Sequence, residues 1–193
     1  MVNIYLARHG ETEENVAQIL QGKLPGHLTA KGRKQAEVLA RELRQMPVKF
    51  DELWVSPLQR AADTAFVVNQ WLKLPVVVNP LLQERDWGSI TGRQLPLPRD
   101  FEMPDDVETV EHMYLRARKL FLLWQNTCLG KNLLVVAHGL FNRVLLAAWQ
   151  GVTIGEVPRM QNGEVRHMVL DSIPQHDALT QVYSLGHDMP SAN

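Results

Sequence analysis

Two short segments of this 193-residue chain end an apolar run on the same pair of residues. Leu6-Ala7-Arg8-His9-Gly10 and Val136-Ala137-His138-Gly139 each place His-Gly directly after what reads as a buried strand. In open α/β sheets, ligands bind beyond the carboxyl ends of strands, near a point where the strand order reverses. Two imidazoles delivered to two such ends can therefore face one another across a crevice. The following glycines let backbone amides approach a ligand closely. A lone histidine after a strand is most often structural; the pair, with Arg8 beside His9, points to chemistry. A metal site is the rival, since neutral imidazole is a common ligand, but no HxH, HExxH or carboxylate partner stands at ligand spacing.

Arg60 lies in Val55-Ser56-Pro57-Leu58-Gln59-Arg60-Ala61, on the first turn of a helix expected to follow a strand. That position brings it to the same carboxyl edge, where a guanidinium fork matches phosphate oxygens. Standing alone it would read as a solvated helix arginine. Glu84 follows Leu81-Leu82-Gln83, read here as another strand end, and precedes Arg85-Asp86-Trp87-Gly88.

The elements that must position these groups alternate between short apolar runs and amphipathic ones, the pattern of an α/β sheet with helices on its faces. Strands are expected at Asn3 to Ala7, Leu53 to Val55, Val76 to Val78, Asn132 to Ala137, Val165 to Leu170 and Thr180 to Leu185. Thr29 is placed to cap a helix running towards Met46, with Ala36, Leu39, Ala40 and Leu43 at helical spacing and Pro47 as its stop. Ser56-Pro57 open a helix reaching about Leu72. From Val107 a long helix carries Val110, Met113, Tyr114, Ala117, Leu120, Phe121 and Trp124 on one face. The helix after His138 ends near Gly151. Gly88 to Asp106, rich in Gly and Pro, reads as a loop. No linker or repeat divides the chain, so residues 1–193 are expected to form a single α/β domain.

Composition narrows the class. With 45% hydrophobic and 21% charged residues the chain is ordinary for a globular protein. A net charge of −1 argues against a general electrostatic grip on nucleic acid or an anionic membrane, so affinity for an anion must come from a local basic cluster. Cys128 is the only cysteine, which excludes an intrachain disulfide and suits a reducing compartment. The N-terminal apolar run is cut short by Arg8 and does not read as a signal peptide. No apolar stretch approaches the roughly 20 residues needed to cross a bilayer. A cytoplasmic location is expected.

Taken together, these residues resemble the histidine phosphatase superfamily, the phosphoglycerate-mutase-like branch 1. Arg8-His9-Gly10-Glu11-Thr12 with Asn15 is similar to its nucleophile signature. Leu28-Thr29, Gly32, Gln35 and Ala36 resemble the next block, and Ser56-Pro57-Leu58, Arg60-Ala61 and Thr64-Ala65 the block with the second arginine. Leu82, Glu84 and Gly88 match the acid block, and His138-Gly139 with Arg143 the last. Five blocks in order, covering most of the chain, are a specific signal where an RHG triplet alone would be weak.

The resemblance implies a three-layer α/β sandwich with a mixed, mostly parallel sheet and helices on both faces. It implies His9 as nucleophile forming a covalent phosphohistidine, Glu84 as proton donor, and Arg8, Arg60 and His138 as the phosphoryl-binding groups. Asn15 is implied as a further hydrogen bond to that group; Gln21, Gly22, Gly139 and Trp87 are candidate substrate contacts, with Lys23, His27 and Arg93 nearby. Neither metal nor cofactor is implied. The expected partner is a small phosphorylated metabolite, with the chain a monomer or homodimer. This sequence departs from the family pattern at Pro25-Gly26 and Thr91-Gly92, where family members often carry an acidic residue. The stretch from Gly92 to the long helix is short, whereas mutases usually hold a second acid group on a longer insertion there, which favours a hydrolase. The alternatives are a phosphoglycerate-mutase-type phosphotransferase, a metal hydrolase, and a non-catalytic phosphate-binding protein of the same fold.

Overall fold

A computed structural model describes residues 1–172. The strand expected at Thr180 to Leu185, together with His176 and His187, lies outside the described residues. Five strands form one sheet in the order β3-β2-β4-β1-β5. They are β1 (Val2–Arg8), β2 (Glu52–Val55), β3 (Val76–Val78), β4 (Asn132–Ala137) and β5 (Val165–Leu170). The first four run parallel and β5 pairs antiparallel to β1. The expected mixed, mostly parallel sheet is observed.

Central strands buried on both faces read as continuous apolar runs rather than alternating ones, and β4 does this. Its Leu133, Val135 and Ala137 pack with helices α4 (Val110–Thr127) and α5 (Gly139–Gln150). Its Leu134 and Val136 face helices α2 (Ala30–Gln45) and α3 (Gln59–Leu72). The two cores make the sandwich. No helix among the described residues is long and apolar enough to cross a membrane.

Helix boundaries follow local chemistry. Thr29 caps α2 by accepting from Gly32 N at 2.9 Å. The long helix begins at Val110 rather than Val107, because Thr109 is its cap, accepting from His112 N at 3.1 Å. Likewise α3 starts at Gln59: Ser56 and Pro57 lie before it. A short helix α1 (Glu13–Val16), absent from the sequence expectation, is held by a reciprocal Thr12–Asn15 capping box. Leu81 and Leu82 are not a strand. Asn79 Oδ1 accepts from Leu81 N, and Pro80–Leu82 close a 3₁₀ turn, leaving residues 83–87 irregular.

Two glycines allow the segment after β1 to lie against α2. A Cβ on Gly10 would sit 2.3 Å from Gly32 O, and one on Gly32 would sit 2.0 Å from Glu11 O. Neither position has room for a side chain, so backbone meets backbone there.

Candidate active site

The carboxyl ends of β1 and β4 are neighbours, with Arg8 paired to Ala137. His9 N donates to Ala137 O at 3.0 Å, extending that ladder by one residue. His9 and His138 consequently meet edge to face, their ring centroids 5.3 Å apart. His9 is 3% exposed and His138 is fully buried.

His9 Nδ1 stands 2.7 Å from Gly10 O. A carbonyl only accepts, so Nδ1 carries the proton and Nε2 keeps its lone pair. Burial, then the charges of Arg60 and Arg8, push the His9 pKa well below the ordinary histidine value. His138 is pushed down in the same way, by burial first and then by Arg60 and His9. Its Nε2 is 2.7 Å from Ser56 Oγ, and its Nδ1 is buried without a partner.

Two guanidiniums flank His9. Arg8 Nη1 donates to Met160 O at 2.6 Å, and Gly139 lets the group lie close, since a Cβ there would be 3.0 Å from Arg8 Nε. Arg60, 1% exposed, donates to Gly22 O at 2.8 Å and also to Leu24 O. The Nε atoms of both arginines are buried without a partner. Burial lowers both arginine pKa values, and the Glu84 carboxylate opposes that fall in each case.

Glu84 arrives from the irregular segment after the 3₁₀ turn rather than from a strand end. Its carboxylate accepts from Leu140 N at 3.2 Å, Phe141 N at 3.0 Å and Arg85 N at 3.0 Å. The first two are otherwise unpaired N–H groups of the opening turn of α5, which a carboxylate satisfies.

Arg8, His9, Asn15, Gln21, Gly22, Arg60, Glu84, Trp87 and Gly139 all line one cavity of about 530 Å³. His138 is not among the lining residues; its ring meets His9 edge to face. Asn15 Oδ1 accepts from Thr12 N at 3.2 Å and from Asn162 Nδ2 at 3.3 Å, so its amide NH₂ is the group left for the cavity. Three nearby candidates are elsewhere. Lys23 is ion-paired with Asp86 at 2.6 Å, His27 Nδ1 stands 3.3 Å from Glu14 Oε1, and Arg93 covers the Phe101 ring. The apolar share of the lining was not anticipated: Leu95, Val110, Met113, Leu140, Ile154 and Val157 line the cavity together with Arg143 and Arg159. Arg85 also lines the cavity, its guanidinium 4.4 Å above the Trp87 ring. Among the described residues no group of three or more His, Cys, Asp or Glu side chains is arranged to hold a metal ion.

The buried pair of neutral histidines has a measurable consequence. An unfolded chain takes up protons on both near pH 6.5, whereas the folded chain does so only well below that value. The unfolded state then binds more protons, so stability falls as pH drops below about 6.5. Denaturant titrations between about pH 7 and pH 5 should show this fall. His9→Asn should flatten the slope by up to about 1.4 kcal/mol per pH unit, one proton's worth. An unchanged slope would mean that His9 titrates normally.

The family model described as histidine phosphatase superfamily (branch 1) matches residues 4–183. The chain belongs to that superfamily. Among the relatives of this chain is PhoE of Bacillus subtilis (strain 168), named an uncharacterized phosphatase. It is 32% identical over 177 residues, covering 90% of this chain and 88% of its own. A 2,3-bisphosphoglycerate-dependent phosphoglycerate mutase of a Methylobacterium species (strain 4-46) is 26% identical, covering 82% and 85%. Among solved structures, the alpha-ribazole phosphatase of Shigella flexneri superposes with a TM-score of 0.76. It is 25% identical, and the match covers 90% of this chain and 96% of its own.

Proposed function

We propose that the chain is a phosphatase that hydrolyses a phosphomonoester of a small molecule through a phosphohistidine on His9, without a metal ion. One observation carries this reading. A buried, neutral imidazole with its Nε2 lone pair free stands between two guanidiniums whose Nε atoms lack acceptors. Buried N–H groups without partners are costly, and phosphoryl oxygens supply the missing acceptors. Such donors act on the charge that spreads over the equatorial oxygens in the transition state.

In the first step His9 Nε2 attacks phosphorus and the bond to the ester oxygen breaks. Glu84 gives its proton to that oxygen, and an alcohol leaves. The phosphorylated ring keeps its Nδ1 proton on Gly10 O, which disperses the ring's positive charge. In the second step water attacks phosphorus, the Glu84 carboxylate takes a proton from it, and the N–P bond breaks to restore the lone pair of His9. With Ser56 Oγ–H donating to Nε2 of His138, that ring's Nδ1–H serves as a further donor to the phosphoryl group. Asn15 NH₂ adds another.

The apolar share of the lining favours an alcohol with an apolar portion as the leaving group. The lone buried Cys128 and near-neutral charge fit a reducing, cytoplasmic setting. Relatives named phosphatase and mutase share the fold, so products decide between the two reactions. The short stretch between Gly92 and α4 favours hydrolysis. Phosphomonoesters incubated with the protein and excess chelator should release inorganic phosphate as fast as without chelator. An isomerised phosphoester as main product, or loss of activity on chelation, would overturn the reading.

A further inference from the structure

We infer that Arg116, through its fork on Glu108, is the positioning residue that sets Glu84 for proton transfer. The inference rests on Glu84 being the proton donor, as proposed above. Glu84 lies in residues 83–87, which have no regular structure, so neighbouring backbone hydrogen bonds do not hold the segment as they would in a strand. What holds it comes from Arg116 on α4, from Glu108 just before that helix, whose N donates to Asp86 O at 2.8 Å, and from the α5 amides on Glu84. Arg116 Nη1 donates to Leu81 O at 2.9 Å and to Gln83 O at 2.8 Å, immediately before Glu84.

The same guanidinium grips Glu108 with two bonds, Nε to Oε1 at 2.7 Å and Nη2 to Oε2 at 2.9 Å. Glu108 completes the hold on the other side of Glu84. Its Oε2 accepts from Asp86 N at 3.1 Å, and its carbonyl accepts from Arg85 Nε at 2.8 Å. The carbonyls before the proton donor and the N–H after it are thus fastened to one ion pair. Arg116 also lies flat on Phe141, its Cζ 4.1 Å from the ring centroid, and Phe141 N is one of the donors to the Glu84 carboxylate. Backbone and carboxylate of Glu84 are therefore referred to the same guanidinium. A planar fork meets this many acceptors; a lysine ammonium does not match the geometry.

Arg116 does not line the cavity that holds His9, so its loss should act on proton transfer and spare phosphoryl binding. Misplacing a reacting group by about 1 Å costs on the order of 100-fold. Arg116→Met should lower kcat on an alkyl phosphate, whose leaving group needs a proton, by roughly 10- to 100-fold. Turnover of para-nitrophenyl phosphate, whose leaving group departs unprotonated, should fall less than about threefold. Competitive inhibition by inorganic phosphate should be unchanged.

Glu108→Gln and Arg116→Lys should show the same selectivity to a smaller degree, and either serves if Arg116→Met does not fold. Equal loss on both substrates, or no loss on either, would overturn the positioning role. Glu84→Gln is run in parallel and separates the two readings. If it is selective and the Arg116 variants are not, only the positioning role falls. If Glu84→Gln is itself unselective, the proton-donor assignment falls and the inference with it.

Discussion

His9→Ala is expected to lose phosphate release by on the order of 10⁴-fold or more, the scale seen when a nucleophile is removed from a group that acts as a unit. No phosphoenzyme should be trapped from it when labelled substrate is quenched under alkaline denaturing conditions. The reason is geometric. The other imidazole at the site, His138, is fully buried, and its Nε2 is engaged with Ser56 Oγ. The remaining nitrogen, Nδ1, carries the ring proton when Ser56 donates to Nε2, so this ring has no lone pair to offer phosphorus in place of His9. Turnover within about tenfold of the parent would reassign the nucleophile. So would a phosphoenzyme recovered from the alanine variant in normal yield.

Arg60→Ala is expected to cost roughly 100-fold or more in kcat/KM, the scale of losing one transition-state donor. A second loss is built in, because the Arg60 side chain also gathers the Gly22 and Leu24 carbonyls. Those carbonyls belong to the segment that carries Gln21 on the cavity wall. Arg60→Lys separates charge from fork. It restores a cation but cannot span the phosphoryl group and these carbonyls together, and it should remain at least tenfold impaired. Inhibition by inorganic phosphate should weaken in both variants. A loss under about threefold in Arg60→Ala would show that the guanidinium does not touch the phosphoryl group.

What was legible in the sequence was whatever depended on local pattern. The apolar runs before His9 and His138 predicted two strand ends, and because those strands are adjacent the rings meet. Arg60 was legible because one helical turn after a strand end is a fixed place. Glu84 was read onto a strand end, yet it sits beyond a 3₁₀ turn set by Asn79 and Pro80. Its amide partners at Leu140 and Phe141 are far along the chain, and no periodicity reports a contact of that kind.

The apolar share of the lining was hidden for a different reason. Val110 and Met113 stood in the stripe of α4 along with Leu120 and Trp124, and helical spacing does not tell which members of a stripe meet core and which meet a cavity. Lys23 and Arg93 read as loop cations; Asp86 and Phe101, which occupy them, are tertiary neighbours. The helix at Glu13–Val16 is too short for any period to register.

The cavity lining also draws on Leu95, Ile154 and Val157, carried by connections outside the strands and α-helices of the described residues. None of the groups assigned to bond making or breaking is mounted there. Remodelling the connection that carries Leu95 would alter which alcohols the proposed site admits. The one that carries Ile154 and Val157, by contrast, leads into Met160, whose carbonyl holds Arg8. Changing the first tunes preference alone; changing the second also reaches an arginine assigned to the phosphoryl group.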